Sequence, residues 1–316
     1  MGPTLILGAS GFLGAHVVAS AVSRAREFAT FAEPLGEGVV AVSRDPERAP
    51  RFCEPRDGAE WVKVDLAPAG AFSALLEGLE PARVICCAAL ARPAECEQRP
   101  DEARRMNSEL PGEIAALCAD RGLRLVHIST DLVFGQVDAP PGGFSESADA
   151  APVSEYGRSK LAGEAAVLAA FPAALVVRLP LLYGNSGARA AGASDSLLEA
   201  VERGEHPPLF TDEWRSPLEV SNAAEAVMEL ANSTESGLLH VAGPQRCSRL
   251  ELGLAILVAA GLEPEQARTE VRGVSMSEVP TGTPRPRDVS LAVGRARRVL
   301  DTELVGLARG TQRAMR

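Results

Sequence analysis

The sequence predicts an α/β fold, a doubly wound parallel sheet with a smaller C-terminal lobe. Short apolar runs alternate with helical patterns as far as about residue 180, as strands joined by crossover helices do. The first run, Thr4 to Leu7, leads through a glycine-rich turn into a helix. After residue 180 the alternation loosens, and the chain reads as a lobe built over the strand tips. The expected boundaries are 1–180 for the sheet domain, with 221–242 returning to it, and 181–220 with 243–316 for the lobe.

A chain of 316 residues, 46% hydrophobic and 23% charged, has the composition of a soluble globular protein and is long for one simple domain. Its net charge of −10 argues against a nucleic-acid or membrane-surface partner. A phosphate-bearing ligand must therefore be met by local arginines. No stretch has the apolar length of a membrane span, and no signal-peptide layout opens the chain, so the expected location is the cytosol. The six cysteines are scattered and read as reduced packing residues. No cysteine pair has zinc spacing, and His16, His127, His206 and His240 lie far apart, so no metal site is expected.

Thr4 to Leu7 is a buried strand followed by Gly8-Ala9-Ser10-Gly11-Phe12-Leu13-Gly14. Gly8 suits the tight turn, Gly11 a close approach of backbone to a pyrophosphate, and Gly14 a close packing of helix on strand. Ser10, Phe12 and Leu13 share that turn. Gly38 to Ser43 is a second strand, after a connection from Ala25 to Glu37 that is longer than a compact unit needs. It ends in Ser43-Arg44, where binders of NAD usually place an acid. A guanidinium there suits a 2′-phosphate and favours NADP(H). Asp45 follows directly and would serve NAD(H) if the strand ran one residue further. Trp61 to Val64 is a third strand, with Asp65 and Leu66 after it as candidates for the adenine side.

Arg83 to Ala89 is a fourth strand; Cys87, Ala88 and Ala89 are small enough to let a cofactor lie across its tip. A helix from about Asp101 to Arg121 carries Asn107. Leu125 to Ile128 is a fifth strand, running into Ser129-Thr130-Asp131-Leu132-Val133-Phe134-Gly135. Thr130 at such a strand end can hydrogen-bond a substrate carbonyl. The Pro- and Gly-rich stretch from Gln136 to Pro152 reads as a loop and candidate lid. Later elements are a strand at Ala174 to Arg178, a loop at Gly184 to Gly192, helices at Asp195 to Arg203 and Ser221 to Ala231, and a strand at Leu238 to Val241. Ser248 to Ala260 is a helix with a capping box made by Ser248 and Glu251. A last basic helix is expected at Val293 to Leu300.

Tyr156-Gly157-Arg158-Ser159-Lys160 opens a further helix, with Ser154 as its cap. Residues four apart share a helix face, so the Tyr156 hydroxyl and the Lys160 ammonium reach one small volume. A cation beside a phenol favours the phenolate. Lys160 is therefore expected to bring the Tyr156 pKa down from about 10 towards neutrality. Such a tyrosine gives and takes protons.

These motifs in this order resemble the extended short-chain dehydrogenase/reductases. The sequence is most similar to the dTDP-4-dehydrorhamnose reductase group, which includes the beta regulatory subunit of methionine adenosyltransferase. The resemblance covers nearly the whole chain. It rests on the three glycines, Cys87-Ala88-Ala89, Ser129 to Gly135, Tyr156 to Glu164, Arg178 to Gly184, and Arg285-Pro286 with Ser290-Leu291. It implies a Rossmann-type sheet and an NADP(H)-dependent reductase of a keto group on a nucleotide sugar, in dTDP-rhamnose biosynthesis, with a homodimer left open. It implies a catalytic set of Thr130, Tyr156 and Lys160, with Asn107 as a fourth member. Tyr156 and Lys160 would also touch the cofactor. Asp131, Val133, Trp214, Arg215 and Arg285 fall on the substrate side. Leu132 stands where the group has tyrosine, and Leu218 where it has threonine. Leu132 also stands where the related dehydratases have a glutamate, which excludes their water elimination. A cofactor-binding regulatory subunit and an epimerase are the alternatives.

Overall fold

The computed structural model describes residues 2–29, 38–50, 52, 58–187, 192–280 and 282–315. The expected expansion at Ala25 to Glu37 therefore lies largely outside the described residues, as does part of the loop expected at Gly184 to Gly192. The first half runs β1 (Thr4–Leu7), α1 (Phe12–Ala29), β2 (Val39–Ser43), β3 (Ala59–Lys63), α2 (Ala71–Leu75), β4 (Arg83–Cys86), α3 (Pro93–Gln98) and α4 (Pro100–Arg104). It continues with α5 (Leu110–Arg121), β5 (Arg124–Thr130), α6 (Glu155–Ala170) and β6 (Leu175–Leu179). The second half adds β7 (Leu182–Tyr183), α7 (Ala193–Glu202), β8 (Pro208–Phe210), β9 (Trp214–Arg215), β10 (Leu218–Glu219), α8 (Val220–Ala231) and β11 (Gly237–His240). After these come β12 (Cys247–Ser248), α9 (Arg249–Ala259), α10 (Pro264–Thr269), β13 (Arg272–Val274), α11 (Ala296–Val299) and α12 (Leu307–Ala314).

Seven strands form one parallel sheet in the order β11-β6-β5-β4-β1-β2-β3. The order reverses between β1 and β4, and open sheets of this kind bind ligands at such a point. The five strands between the edges bury both faces, whereas the edge strand β3 exposes Glu60 and Lys63. Ile6, Ala41, Ile85, Val126 and Val177 face a core shared with α1 and α8, while Leu5, Leu7, Val40, Val84, Leu125 and Val176 face one shared with α5 and α6. That is why the strands read as unbroken apolar runs. Helix α8 and strand β11 return from the second half to pack on α1 and to pair with β6. The remaining second-half elements form short two-stranded pairs around a separate core of Leu197, Leu252, Ile256, Leu257 and Val271.

Strand β5 is longer than expected and takes in Ser129 and Thr130. The single helix expected at Asp101 to Arg121 is interrupted by a π-helical turn, Arg105–Glu109. Pro111 has no N–H to return to the Asn107 carbonyl, so the regular ladder cannot close there. The last basic helix shrinks to α11, and α12 was not anticipated.

Candidate active site

The tips of β1, β2, β4 and β5 and the first turns of α1 and α6 meet at the switch point. Gly8 ends the β1 turn with φ +77, and a Cβ there would lie 2.7 Å from the Ala88 nitrogen. A Cβ on Gly14 would lie 2.2 Å from the Gly8 carbonyl oxygen. The absence of side chains at Gly8 and Gly14 therefore lets the turn pack directly on Cys87-Ala88 and on the start of a helix with no acid in its first turn. A glycine turn at such a helix N-terminus fits the diphosphate of a dinucleotide. Beside it, the Ser10 and Ser43 hydroxyls are 2.6 Å apart, and Ser43 Oγ accepts from the Asp45 N–H at 3.1 Å. Arg44 is exposed, whereas the Asp45 carboxylate faces Arg48 at 3.8 Å. Asp65 caps its own turn by accepting from the Ala67 N–H. Phe12 is half-buried, edge-on to His16. The side chains of Leu13 and Leu66 lie in the two cores, which leaves only their backbone to a ligand.

Thr130 is the last residue of β5. Its Oγ1 accepts from the Leu132 N–H and donates to Asp131 Oδ1, both at 3.2 Å. Ser154 caps α6 by accepting from the Gly157 N–H. That cap fixes the first turn, and the next turn carries Lys160. Helix α6 lies close against the π-helical turn, because a Cβ on Gly163 would be 2.0 Å from the Asn107 carbonyl oxygen.

The expected effect of Lys160 on Tyr156 is not what the structure shows. Burial pushes the phenol above its ordinary value, and the Thr130 hydroxyl is the partner that draws it back down. Lys160 Nζ instead donates to the Ile128 carbonyl at 2.7 Å and lies 3.3 Å from His127 Nε2. Burial lowers the pKa of this lysine, which is 2% exposed. Asn107 is fully buried, but its amide does not face the catalytic hydroxyls. Its Oδ1 accepts from the Leu90 N–H at 2.8 Å, and its Nδ2 donates to the Leu90 carbonyl at 3.0 Å and to Ser159 Oγ at 3.1 Å. It ties the loop after β4 to α6.

On the substrate side the structure brings some expected residues together and withdraws others. Val133 is fully buried in the core behind the site, so its side chain offers a ligand nothing. Asp131 is buried, its Oδ2 lies 3.6 Å from Arg215 Nε without a hydrogen bond, and burial raises its pKa to about 6. Arg215 is also buried. Its Nη1 donates to the Trp214 carbonyl, and its Nη2 lies 3.2 Å from Glu213 Oε1, so most of its donors are committed within the protein. Glu213 Oε2 then meets Arg285 Nη1 at 3.2 Å. Arg285 is exposed, 5.7 Å from the centre of the Phe210 ring. Trp214 has one face covered by the Arg246 guanidinium, 3.8 Å from its centre.

Sequence reasoning missed three residues. Glu213 neutralises both Arg215 and Arg285. Arg249 follows the capping Ser248 and carries a buried Nη1 with no hydrogen-bond partner; burial lowers its pKa, and Glu213 opposes that. His127 was noted only as not being a metal ligand. The one signal for it is a polar ring between Val126 and Ile128 in an otherwise apolar strand.

A model of the RmlD substrate binding domain family matches residues 2–315. The chain is 33% identical over 243 residues to a probable low-salt glycan biosynthesis reductase of Haloferax volcanii, covering 76% of this chain and 79% of that protein. It is 33% identical over 285 residues to dTDP-4-dehydrorhamnose reductase of Mycobacterium tuberculosis, covering 89% and 82%. Its fold is similar to the crystal structure of dTDP-4-dehydrorhamnose reductase of Bacillus anthracis in complex with NADP. That match has a TM-score of 0.77 at 21% identity, over 99% of this chain and 98% of that one.

Proposed function

Because the chain belongs to the RmlD substrate binding domain family, we propose that it is an NADPH-dependent reductase of a keto group on a nucleotide-activated sugar, of the dTDP-4-dehydrorhamnose kind. Two observations support this reading: Thr130 hydrogen-bonds Tyr156, and Lys160 is held at the Ile128 carbonyl one turn further along α6, near the glycine turn after β1. Bound NADPH supplies hydride to the keto carbon. Tyr156 gives its phenolic proton to the carbonyl oxygen. The phenol is protonated at neutral pH, as reduction requires; burial makes it a weaker acid, and the Thr130 hydroxyl opposes that. Thr130 shares a hydrogen bond with that phenol and orients the carbonyl. Lys160 holds the ribose hydroxyls. NADPH is preferred over NADH because Arg44 is exposed beside the two serine hydroxyls, while Asp45 faces Arg48. Arg249 and Arg285 take the sugar's diphosphate, and Arg215 braces them through Glu213. The substrate is a small molecule of the cytosol.

The test is NADPH consumption, followed by absorbance, by purified protein with dTDP-4-dehydro-6-deoxy-L-mannose. Turnover is expected, and Tyr156→Phe should lower kcat by roughly 10²- to 10⁴-fold while NADPH still binds. Undiminished turnover in Tyr156→Phe overturns the proton-donor role. Tight NADPH binding without turnover of this or any other nucleotide keto sugar overturns the activity, and a pull-down would then look for the partner of a regulatory subunit.

A further inference from the structure

The least explained group in the site is His127. It lies on β5 three residues before Thr130, fully buried, beside Cys86 in the β4–β5 register. Its Nε2 faces Lys160 Nζ at 3.3 Å, and its Nδ1 is buried with no partner. A leucine or phenylalanine would fill this place without leaving a ring N–H unsatisfied, so packing does not account for an imidazole. Burial and the neighbouring ammonium both hold the ring neutral. A neutral ring that accepts at Nε2 must carry its proton on Nδ1, which is the orphaned atom.

We propose that His127 is a positioning residue for Lys160. Together with the Ile128 carbonyl, it takes two of the ammonium's three N–H groups and leaves one, in a fixed direction, for the cofactor. An ammonium on a four-carbon stem has no preferred direction of its own. Two acceptors at 2.7 and 3.3 Å give it one. The acceptor also favours the charged form of a lysine that burial disfavours. The other titratable groups around this ammonium are Cys86 at the end of β4, Cys87 just after it, Cys96 from α3, and Glu164 one turn along α6. The Cys86 thiol is pushed up to about 11 and the Cys87 thiol higher still, so both are neutral. Glu164 is engaged by Arg178 from β6 at 2.6 Å. His127 is the side chain that accepts a hydrogen bond from this ammonium.

This inference rests on the cofactor role proposed for Lys160, and its test reads cofactor binding so that it does not depend on which sugar is reduced. NADPH is titrated by fluorescence into His127→Phe and His127→Gln across pH 6 to 10, after their thermal unfolding has been checked. Phenylalanine keeps the ring volume and removes the acceptor, whereas glutamine keeps an acceptor near the Nε2 position. His127→Phe should weaken NADPH binding about tenfold. The alkaline limb of its affinity, which reports loss of the lysine charge, should move to lower pH. His127→Gln should bind within about threefold of the parent. In a Lys160→Met background, adding His127→Phe should change the affinity no further. Unchanged affinity and limb in His127→Phe overturn the proposal. So does an equal loss in His127→Gln, or a full additional loss in the Lys160→Met background, because each assigns the ring to packing alone.

Discussion

Asp131 Oδ1 accepts from the Thr130 hydroxyl at 3.2 Å, and that hydroxyl accepts in turn from the Leu132 N–H. This arrangement needs the carboxylate, which forms only above about pH 6. The kcat/KM profile is accordingly expected to fall on the acid side with an apparent pKa near 6. Asp131→Asn should flatten that limb and lower the plateau by about tenfold. A limb near pH 6 that survives in Asp131→Asn would assign it to another group. That Thr130 ends a strand and that Tyr156 and Lys160 share the opening turns of one helix was legible in the sequence, because local rules define such positions. The roles of Asn107, His127 and Arg249 were not. Each depends on a partner brought up by the fold, as His127 meets a lysine 33 residues away and Asn107 a serine 52 residues away. The direction of the Tyr156 shift was misread for the same reason. Spacing gives nearness along a helix, but it does not say that Ile128 and His127 will claim the ammonium.

Helix α6 shows what an element owes to its neighbour. Glycine inside a helix ordinarily costs about 1 kcal/mol relative to alanine. Gly163→Ala should reverse that sign, because the added methyl would sit 2.0 Å from the Asn107 carbonyl oxygen. The expected loss is about 2–4 kcal/mol, read as a lower urea midpoint at unchanged slope. A stabilised Gly163→Ala would mean that the π-helical turn can close up and move away. The turn itself was hidden from periodicity, because a widened turn keeps the apolar spacing on either side. Pro111 was its one visible cause. The capping box of Ser248 and Glu251 and the strand cores were read correctly because they are local, whereas β8, β9, β10, β12 and β13 are only two or three residues long and exist through their pairing.

Across the whole molecule, the loop after β5 is tied to the sheet through His240. The ring Nδ1 faces the Phe144 carbonyl at 3.1 Å, and Nε2 lies 3.3 Å from Arg178 Nη1, so the ring is a neutral acceptor towards a fixed cation. Burial lowers its pKa to about 4, from an ordinary value of 6.5. A base with a lowered folded-state value contributes stability that is full above pH 6.5 and lost as pH falls through 4. The melting temperature should therefore decline across that window, and His240→Gln should show a shallower decline. An identical slope in the variant would place the acid sensitivity elsewhere. The seven strands were legible as apolar runs, but their order in the sheet is set by long crossovers that periodicity does not fix.

The return of α8 and β11 to the sheet has a consequence for the order in which the protein is made. Helix α1 and strand β6 are complete early, yet the helix that covers the first begins about 40 residues after β6, and the strand that borders the second about 60. At about 5–20 residues per second, a ribosome takes several seconds to supply them. For that interval the growing chain carries an open strand edge on β6 and an uncovered apolar face on α1. The growing polypeptide is most exposed to misassociation just after its catalytic residues have emerged, and it becomes safe only once Gly237–His240 has docked.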